Sequence, residues 1–509
     1  MEDKQAVTQN AFYAVLQVVL SGVMLFLFYR YLYSVIGIEQ VGIWSLILAM
    51  TSLSSIANLG FGGSLVKYVA QYHARGDQDA INDVVATAVI TVGIAVATVL
   101  ILAYPFAEAL VGMVVQRQYA ERAASLLPYA IVSLWIGSLG NMYAAVLEGY
   151  HLAYLKSVIF LAGQALNLLL SMLMVSHHGL FGLAYAQIIQ AAFVVAATMI
   201  VLKTKVPSMR VVPGMWKKER YREMKNYGFN VQVNSVAIML YDPITKALLS
   251  KYGDISIVGF FEMANRTVLL FRAVLVNANR VLVPTISRAM ESVNVPLNKI
   301  YSLSYELILY LSVPIFAGLI AFAPSVAHLW TGAYNDRLSS MIMILSLGWF
   351  VNILAGPAYF MNMGTGDLSM NTISHVVIGL GNLLLGLAAG VLLGGQYIVW
   401  TWTLSLGAGS LMIPISYQRK NSLPLSSLLP ATSRMLALSC TVGAVLSLLV
   451  YHGYHESLPF FQLLAGTVLV YCAIIFPSLW KHPARSRLFE MTGHLRGLSA
   501  GKDQNHEDA

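Results

Sequence analysis

Charge is what this chain has least of. Asp, Glu, Lys and Arg make up 11% of its 509 residues, against about 25% in ordinary soluble proteins. So few charges could not cover the surface of a soluble fold, and 58% of the residues are hydrophobic. Disorder, nucleic-acid binding and a soluble-enzyme fold are excluded on that ground. Cysteine is scarce as well. Cys440 and Cys472 are the only two, both inside late apolar runs, so no disulfide framework or CxxC metal site is present. The only Gly-Lys pair, Gly501-Lys502, continues into Asp503 and makes no phosphate-binding loop. No HExxH helix appears, and no nucleophile elbow on a strand-to-helix turn. The expectation is a protein that is not an enzyme and takes no cofactor or metal.

What remains is a polytopic all-α membrane protein. Fourteen apolar runs are long enough to cross a bilayer. They begin with 11–33, 41–66, 81–104, 123–147, 155–175 and 181–202. After a polar gap they continue as 228–250, 255–283, 300–323, 338–360, 372–394, 397–417, 430–451 and 458–480. At roughly 20 residues per span this accounts for most of the apolar share. Helices are the only candidates, because an open sheet edge cannot be satisfied in lipid and no barrel alternation is visible. The first run lacks a small-residue cleavage site, so it reads as a retained helix, not a signal peptide. An even number of spans puts both termini on one side. With the N-terminus inside, inner segments hold 21 Lys and Arg and outer loops four, Arg117, Arg122, Lys251 and Arg337. Both termini are therefore expected in the cytoplasm, in a cytoplasmic (inner) membrane protein.

The two halves repeat. Arg30, Gly37, Val41-Gly42 and Trp44 recur as Lys246, Gly253, Val258-Gly259 and Phe260-Phe261, at offsets of 216 to 217. Gly149 and Asn167-Leu-Leu-Leu recur as Gly364 and Asn382-Leu-Leu-Leu, at 215. The offset equals six spans, an even number, so the halves are parallel repeats. The expected organisation is an N-lobe over 1–202, a cytoplasmic basic linker over 203–226 and a C-lobe over 227–418. Two further helices follow in 419–480, then a tail over 481–509. The lobes are two parallel six-helix bundles around a central cleft. The linker reads as an amphipathic interfacial segment anchored by Trp216. Gly386, Gly390 and Gly394 form a small-residue stripe that serves packing within a bundle, and the chain is expected to be a monomer.

The run Gly37-Ile-Glu-Gln-Val-Gly42-Ile-Trp-Ser-Leu, followed by Asn58-Leu-Gly-Phe-Gly-Gly-Ser-Leu-Val-Lys67-Tyr-Val-Ala-Gln-Tyr72, resembles the polysaccharide transporter family. So does Ala264-Asn-Arg266-Thr-Val-Leu-Leu-Phe, ending in Val281-Leu-Val-Pro284-Thr-Ile-Ser-Arg288. These are similar to Wzx-type flippases of the superfamily that includes multidrug MATE exporters and the lipid II flippase. The resemblance spans about residues 10 to 420, with Asn58 standing where the family often has Asp. It implies a lipid-linked oligosaccharide substrate carried on polyprenyl pyrophosphate. It also implies partners among membrane lipids and other polysaccharide assembly proteins.

An ionisable group within a bilayer costs at least ~2.5 kcal/mol, so each needs a reason. The candidates are Arg30, Asp242, Lys246, Glu262, Arg266, Arg272 and Glu306. Arg30, Lys246, Arg266 and Arg272 form a ladder of cations suited to a pyrophosphate, which guanidinium grips bidentately. Lys67, Arg280 and Arg288 flank its inner mouth. Asp242, Glu262 and Glu306 are the candidates for a coupling ion. The competing view is structural. Asp242 with Lys246, and Glu262 with Arg266, stand four apart and could neutralise each other, while Arg30 could snorkel. Three functions stay in play: the flippase, a MATE-like ion-coupled multidrug or metabolite antiporter, and a membrane polymerase or ligase acting on the same lipid-linked sugars. The last would need a large outer loop, whereas the longest here, about 105–122, has fewer than 20 residues.

Overall fold

The structure, a computed structural model, describes residues 2–52, 60–280 and 297–487. Among them the chain forms sixteen α-helices and no strand. They are α1 (Glu2–Ser52), α2 (Phe61–Ala74), α3 (Gln78–Val114), α4 (Arg117–Gly149), α5 (Ala153–His178), α6 (Leu180–Lys205), α7 (Lys218–Tyr252) and α8 (Ile255–Arg280). After them come α9 (Leu297–Ala321), α10 (Ala323–Thr331), α11 (Asp336–Leu354), α12 (Gly356–Thr365), α13 (Ser369–Leu392), α14 (Ile398–Lys420), α15 (Ala431–Tyr454) and α16 (Phe460–Lys481).

Eleven helical segments among the described residues are long and apolar enough to cross a membrane, which makes this a multi-pass membrane protein. The other three expected spans have identifiable reasons for standing apart. Run 41–66 passes through 53–59, outside the described residues. Runs 228–250 and 255–283 fall on α7 and α8, which are helical but carry the intramembrane charges that lower their hydropathy.

The chain divides into two compact units, one of residues 1–263 and 375–405, the other of 264–374 and 406–509. All three boundaries are intrahelical, within α8, α13 and α14, and the basic linker falls wholly in the first unit. In that unit, α1 is two helices joined at Gly37, whose φ of 80° and ψ of 168° are open to glycine alone without strain. This break falls between the first two expected spans. The Asp77 carboxylate accepts from Ala80 N–H at 2.9 Å and starts α3. The core joins α2, α3 and α4 through Phe61, Leu65, Val84, Val85, Val92 and Val146. Gly386 and Gly390 of α13 face Leu248 and Tyr252 of α7, so these two pack one helix on another, while Gly394 lies past the helix end with open space around it.

The linker has a course that its composition does not show. Residues 206–217 are non-helical and run as a strap along one face of α3. Arg210 N–H donates to Asn82 Oδ1 at 2.9 Å, and Lys217 N–H donates to Thr87 Oγ1 at 3.1 Å. Trp216 Nε1 donates to Thr91 Oγ1 at 3.0 Å, and Lys217 Nζ pairs with Asp83 at 2.6 Å. Met209 is fully buried. The physical reason is backbone satisfaction. Pro207 and Pro213 deny this stretch a helix, so its polar backbone groups find partners on α3.

In the second unit, Leu309, Tyr310 and Val313 of α9 pack with Leu436 and Cys440 of α15 and with Tyr471 and Ile475 of α16. Tyr471 donates to the Pro314 carbonyl at 2.6 Å. The two helices outside the repeat are thus built onto α9.

Candidate functional site

The repeat produces a close crossing in the first unit. A Cβ on Gly42 would lie 2.0 Å from the Ile255 carbonyl oxygen, and one on Gly259 would lie 2.5 Å from that of Ile38. Gly42 and Gly259, like Ile38 and Ile255, are repeat mates. Each half therefore presents its glycine to the other's backbone, as across a two-fold axis.

A charged cluster lies beside this crossing. Glu262 and Lys246 are both 2% exposed, with Lys246 Nζ 2.7 Å from Glu262 Oε2. The same ammonium lies 2.5 Å from Asp242 Oδ2, whose side chain is 40% exposed. Tyr29 donates to Glu262 Oε1 at 2.6 Å, and Ser45 donates to Oε2 at 3.0 Å. A buried carboxylate needs this degree of satisfaction to remain ionised in low dielectric. The expected Asp242–Lys246 neutralisation is present. Lys246 is held between two carboxylates, so an incoming phosphate would have to displace one of them.

Arg30 is the sequence counterpart of Lys246, but the corresponding buried place belongs to Tyr29. Tyr29 is 217 residues before Lys246, the spacing of Ser45 and Glu262, and Arg30 is exposed. One residue rotates a helical side chain by about 100°, which is why the neighbouring offset of 216 selected the wrong face.

Arg266 and Arg272 are on α8 in the second unit, Arg266 exposed and Arg272 half-buried. The Arg272 guanidinium donates from Nε and Nη2 to Asn352 Oδ1 at 3.1 and 2.9 Å. It also lies 4.5 Å over the Trp349 ring, a cation–π contact. Both partners are themselves fixed. Trp349 Nε1 donates to Asn265 Oδ1 at 3.1 Å, and Asn352 Nδ2 donates to Ser410 Oγ at 2.9 Å. The guanidinium fork is thus fixed by an amide and an aromatic ring. The supporting residues were missed in the sequence, although Asn352 is an amide inside an apolar run, a type that rarely enters a membrane without a role.

Glu306 on α9 accepts from Thr432 Oγ1 at 2.8 Å and pairs with Arg487. It ties the segment after α16 to α9. In that segment His482 is 4% exposed, and burial pushes its pKa below the ordinary value. Asn58 and Arg288 lie outside the described residues, as does the side chain of Arg280.

Comparison with known proteins bears on this architecture. A family profile described as "Polysaccharide biosynthesis protein" matches residues 7–290. No curated protein sequence matches the chain. Among solved structures, lipid II flippase MurJ in an inward closed conformation is similar with a TM-score of 0.71 at 13% identity, over 92% of this chain and 97% of that one. An inward-facing multidrug resistance MATE family transporter of the MOP superfamily gives 0.69 at 16% identity, over 80% and 98%. A MOP superfamily transporter from Pyrococcus furiosus gives 0.57 at 16%, over 82% and 94%. At these identities the likeness is one of fold.

Proposed function

The chain belongs to the polysaccharide biosynthesis protein family, and from that premise we propose that it carries a polyprenyl-pyrophosphate-linked oligosaccharide from the inner to the outer leaflet of the cytoplasmic membrane. Alternating access is the mode of movement, with both termini in the cytoplasm. The observation that carries this reading is Arg272. Its guanidinium is gripped by the Asn352 amide and stacked on the Trp349 ring. A pyrophosphate crossing a low-dielectric region needs such a group. Arg266, exposed on the same helix, supplies a second cation. Lys246 is assigned to structure, since Asp242 and Glu262 already engage it.

One observation favours a second reading, a MATE-like ion-coupled antiporter. Asp242 is half-exposed while its partner Lys246 is buried. A proton or sodium ion arriving at Asp242 would leave Lys246 to Glu262 alone.

The test compares surface polysaccharide and retained lipid-linked oligosaccharide in cells carrying Arg272→Ala or Arg272→Lys, with protein level measured beside both. A charge-assisted contact is worth about 1.5–3 kcal/mol, roughly ten- to a hundredfold. Arg272→Ala should lose export by that factor and accumulate intermediate. Arg272→Lys should recover part, because ammonium lacks the fork. Full export by a normally abundant Arg272→Ala protein overturns the phosphate role. Undiminished export without the chain overturns the flippase.

A further inference from the structure

A cavity inside the first unit has no part in the network around Lys246. It lies near the middle of α3, α4 and α6, encloses roughly 300 Å³, and is lined by Ser133, Ser138, Asn141, Phe160, Gln187 and Gln190 together with aliphatic side chains. No Asp, Glu, Lys or Arg lines it. Its polar groups are all neutral.

The wiring of these groups is unusual. The Ser133 and Ser138 hydroxyls donate to the carbonyls of Ala130 and Trp135 in their own helix, at 2.9 and 2.7 Å. That leaves their oxygens as acceptors. Asn141, Gln187 and Gln190 show no hydrogen bond to any described residue, and Gln187 Oε1 is fully enclosed without a partner. A buried amide that serves only packing is normally paired, because an unmet one in an apolar interior is costly, and Gln187 Oε1 is such a group, with half-buried Gln190 and exposed Asn141 beside it. Three amides left open around one cavity provide donors and acceptors side by side.

A ligand that satisfies them must be neutral, since an anion finds no cation here and a cation finds no acid. It must also carry many hydroxyls, each both donor and acceptor, while an apolar face can lie on the Phe160 ring. A pyranose ring has this chemistry and a compatible size. We propose that this cavity is a subsite for one uncharged sugar ring of the transported oligosaccharide, distinct from the phosphate contact at Arg272. The proposal rests on the flippase reading and adds to it a place where the glycan is recognised.

The test uses the purified full-length protein in nanodiscs. The probes are methyl glycosides of glucose, galactose, mannose and N-acetylglucosamine, with glucuronate as the charged control, read by saturation-transfer NMR. At least one neutral glycoside should bind and glucuronate should not. The Gln187→Leu, Gln190→Leu double variant should weaken binding by about tenfold or more, the value of one hydrogen-bonded group at least. Arg272→Ala should bind the glycoside as before. Should the double variant fail to fold, Asn141→Leu at an exposed position carries the same comparison. Binding of none of the four glycosides overturns the subsite, as does binding that survives the amide substitutions. Full polysaccharide export by a double variant that no longer binds glycoside also overturns it. None of these results touches the flippase reading, which fails separately if export persists without the chain.

Discussion

Replacing Lys246 with Met should be among the most damaging single changes in the protein. Glu262, 2% exposed, would keep the Tyr29 and Ser45 hydroxyls but lose the ammonium 2.7 Å from its Oε2. Breaking a buried ion pair from one side costs about 3–5 kcal/mol, because the remaining charge is stranded. Asp242 adds little, being half-exposed. Combining Lys246→Met with Glu262→Gln removes both charges and leaves an amide that Tyr29 and Ser45 can still bond. The double variant should therefore be more stable than Lys246→Met alone, with a coupling of at least about 2 kcal/mol in the double-mutant cycle. Denaturation of the purified protein in mixed micelles, followed by tryptophan fluorescence, reads each corner. Costs that add to within about 0.5 kcal/mol would refute the buried network. Export decides the remaining question. A folded double variant that transports normally leaves Lys246 structural, and one that does not returns it to the substrate path.

Gly42→Ala should abolish the folded protein, because its Cβ would sit 2.0 Å from the Ile255 carbonyl oxygen and backbone cannot yield as a side chain can. Gly63→Ala, with open space around it, should be neutral or gain up to about 1 kcal/mol from helix propensity; fluorescence-detected gel filtration compares the two. The third prediction concerns pH. Burial lowers the His482 pKa below its ordinary 6.5, so the folded state favours the neutral ring. Its contribution is complete above the ordinary value and is lost as pH falls through the lowered one. Hydrogen-exchange protection over residues 482–487 should drop as pH falls below the ordinary value of 6.5, and His482→Gln should flatten that drop. An unchanged pH profile in the variant would refute the assignment.

Fold class and eleven of the fourteen expected spans were legible because apolar run length is a property of one dimension, read without knowing any neighbour. The charged helices α7 and α8 show the limit of that reading. Their residues are polar for reasons that lie on other helices, such as Tyr29 and Ser45 of α1 around Glu262. The linker's course along α3 was not legible, because its basic composition is equally that of a membrane-surface segment. The better signal was on α3, where Asn82, Thr87 and Thr91 place polar groups along an apolar span. Arg272 was legible as an unusual charge, but its clamp was not. Asn352 and Trp349 are about 80 residues away in sequence, and only packing brings them to the guanidinium.

The register of the repeat has a consequence for the chemistry at its crossing. Ser45 and Glu262 are mates 217 residues apart and are bonded directly, at 3.0 Å. Strict symmetry would place two acids there, and carboxylates about 3 Å apart cannot both ionise in a buried site. It would also place a lysine at position 29, where this chain has Tyr29. Instead the first half supplies two hydroxyl donors, Tyr29 and Ser45, and the second half supplies the acid and its counter-ion. The two halves are complementary where they would otherwise repel. Gly42 and Gly259 can then bring the backbones together at the same crossing, because the electrostatics there favour approach. A glutamate at position 45 would undo this even though it makes the halves more alike. The sequence difference between the repeats is therefore part of what allows them to pack.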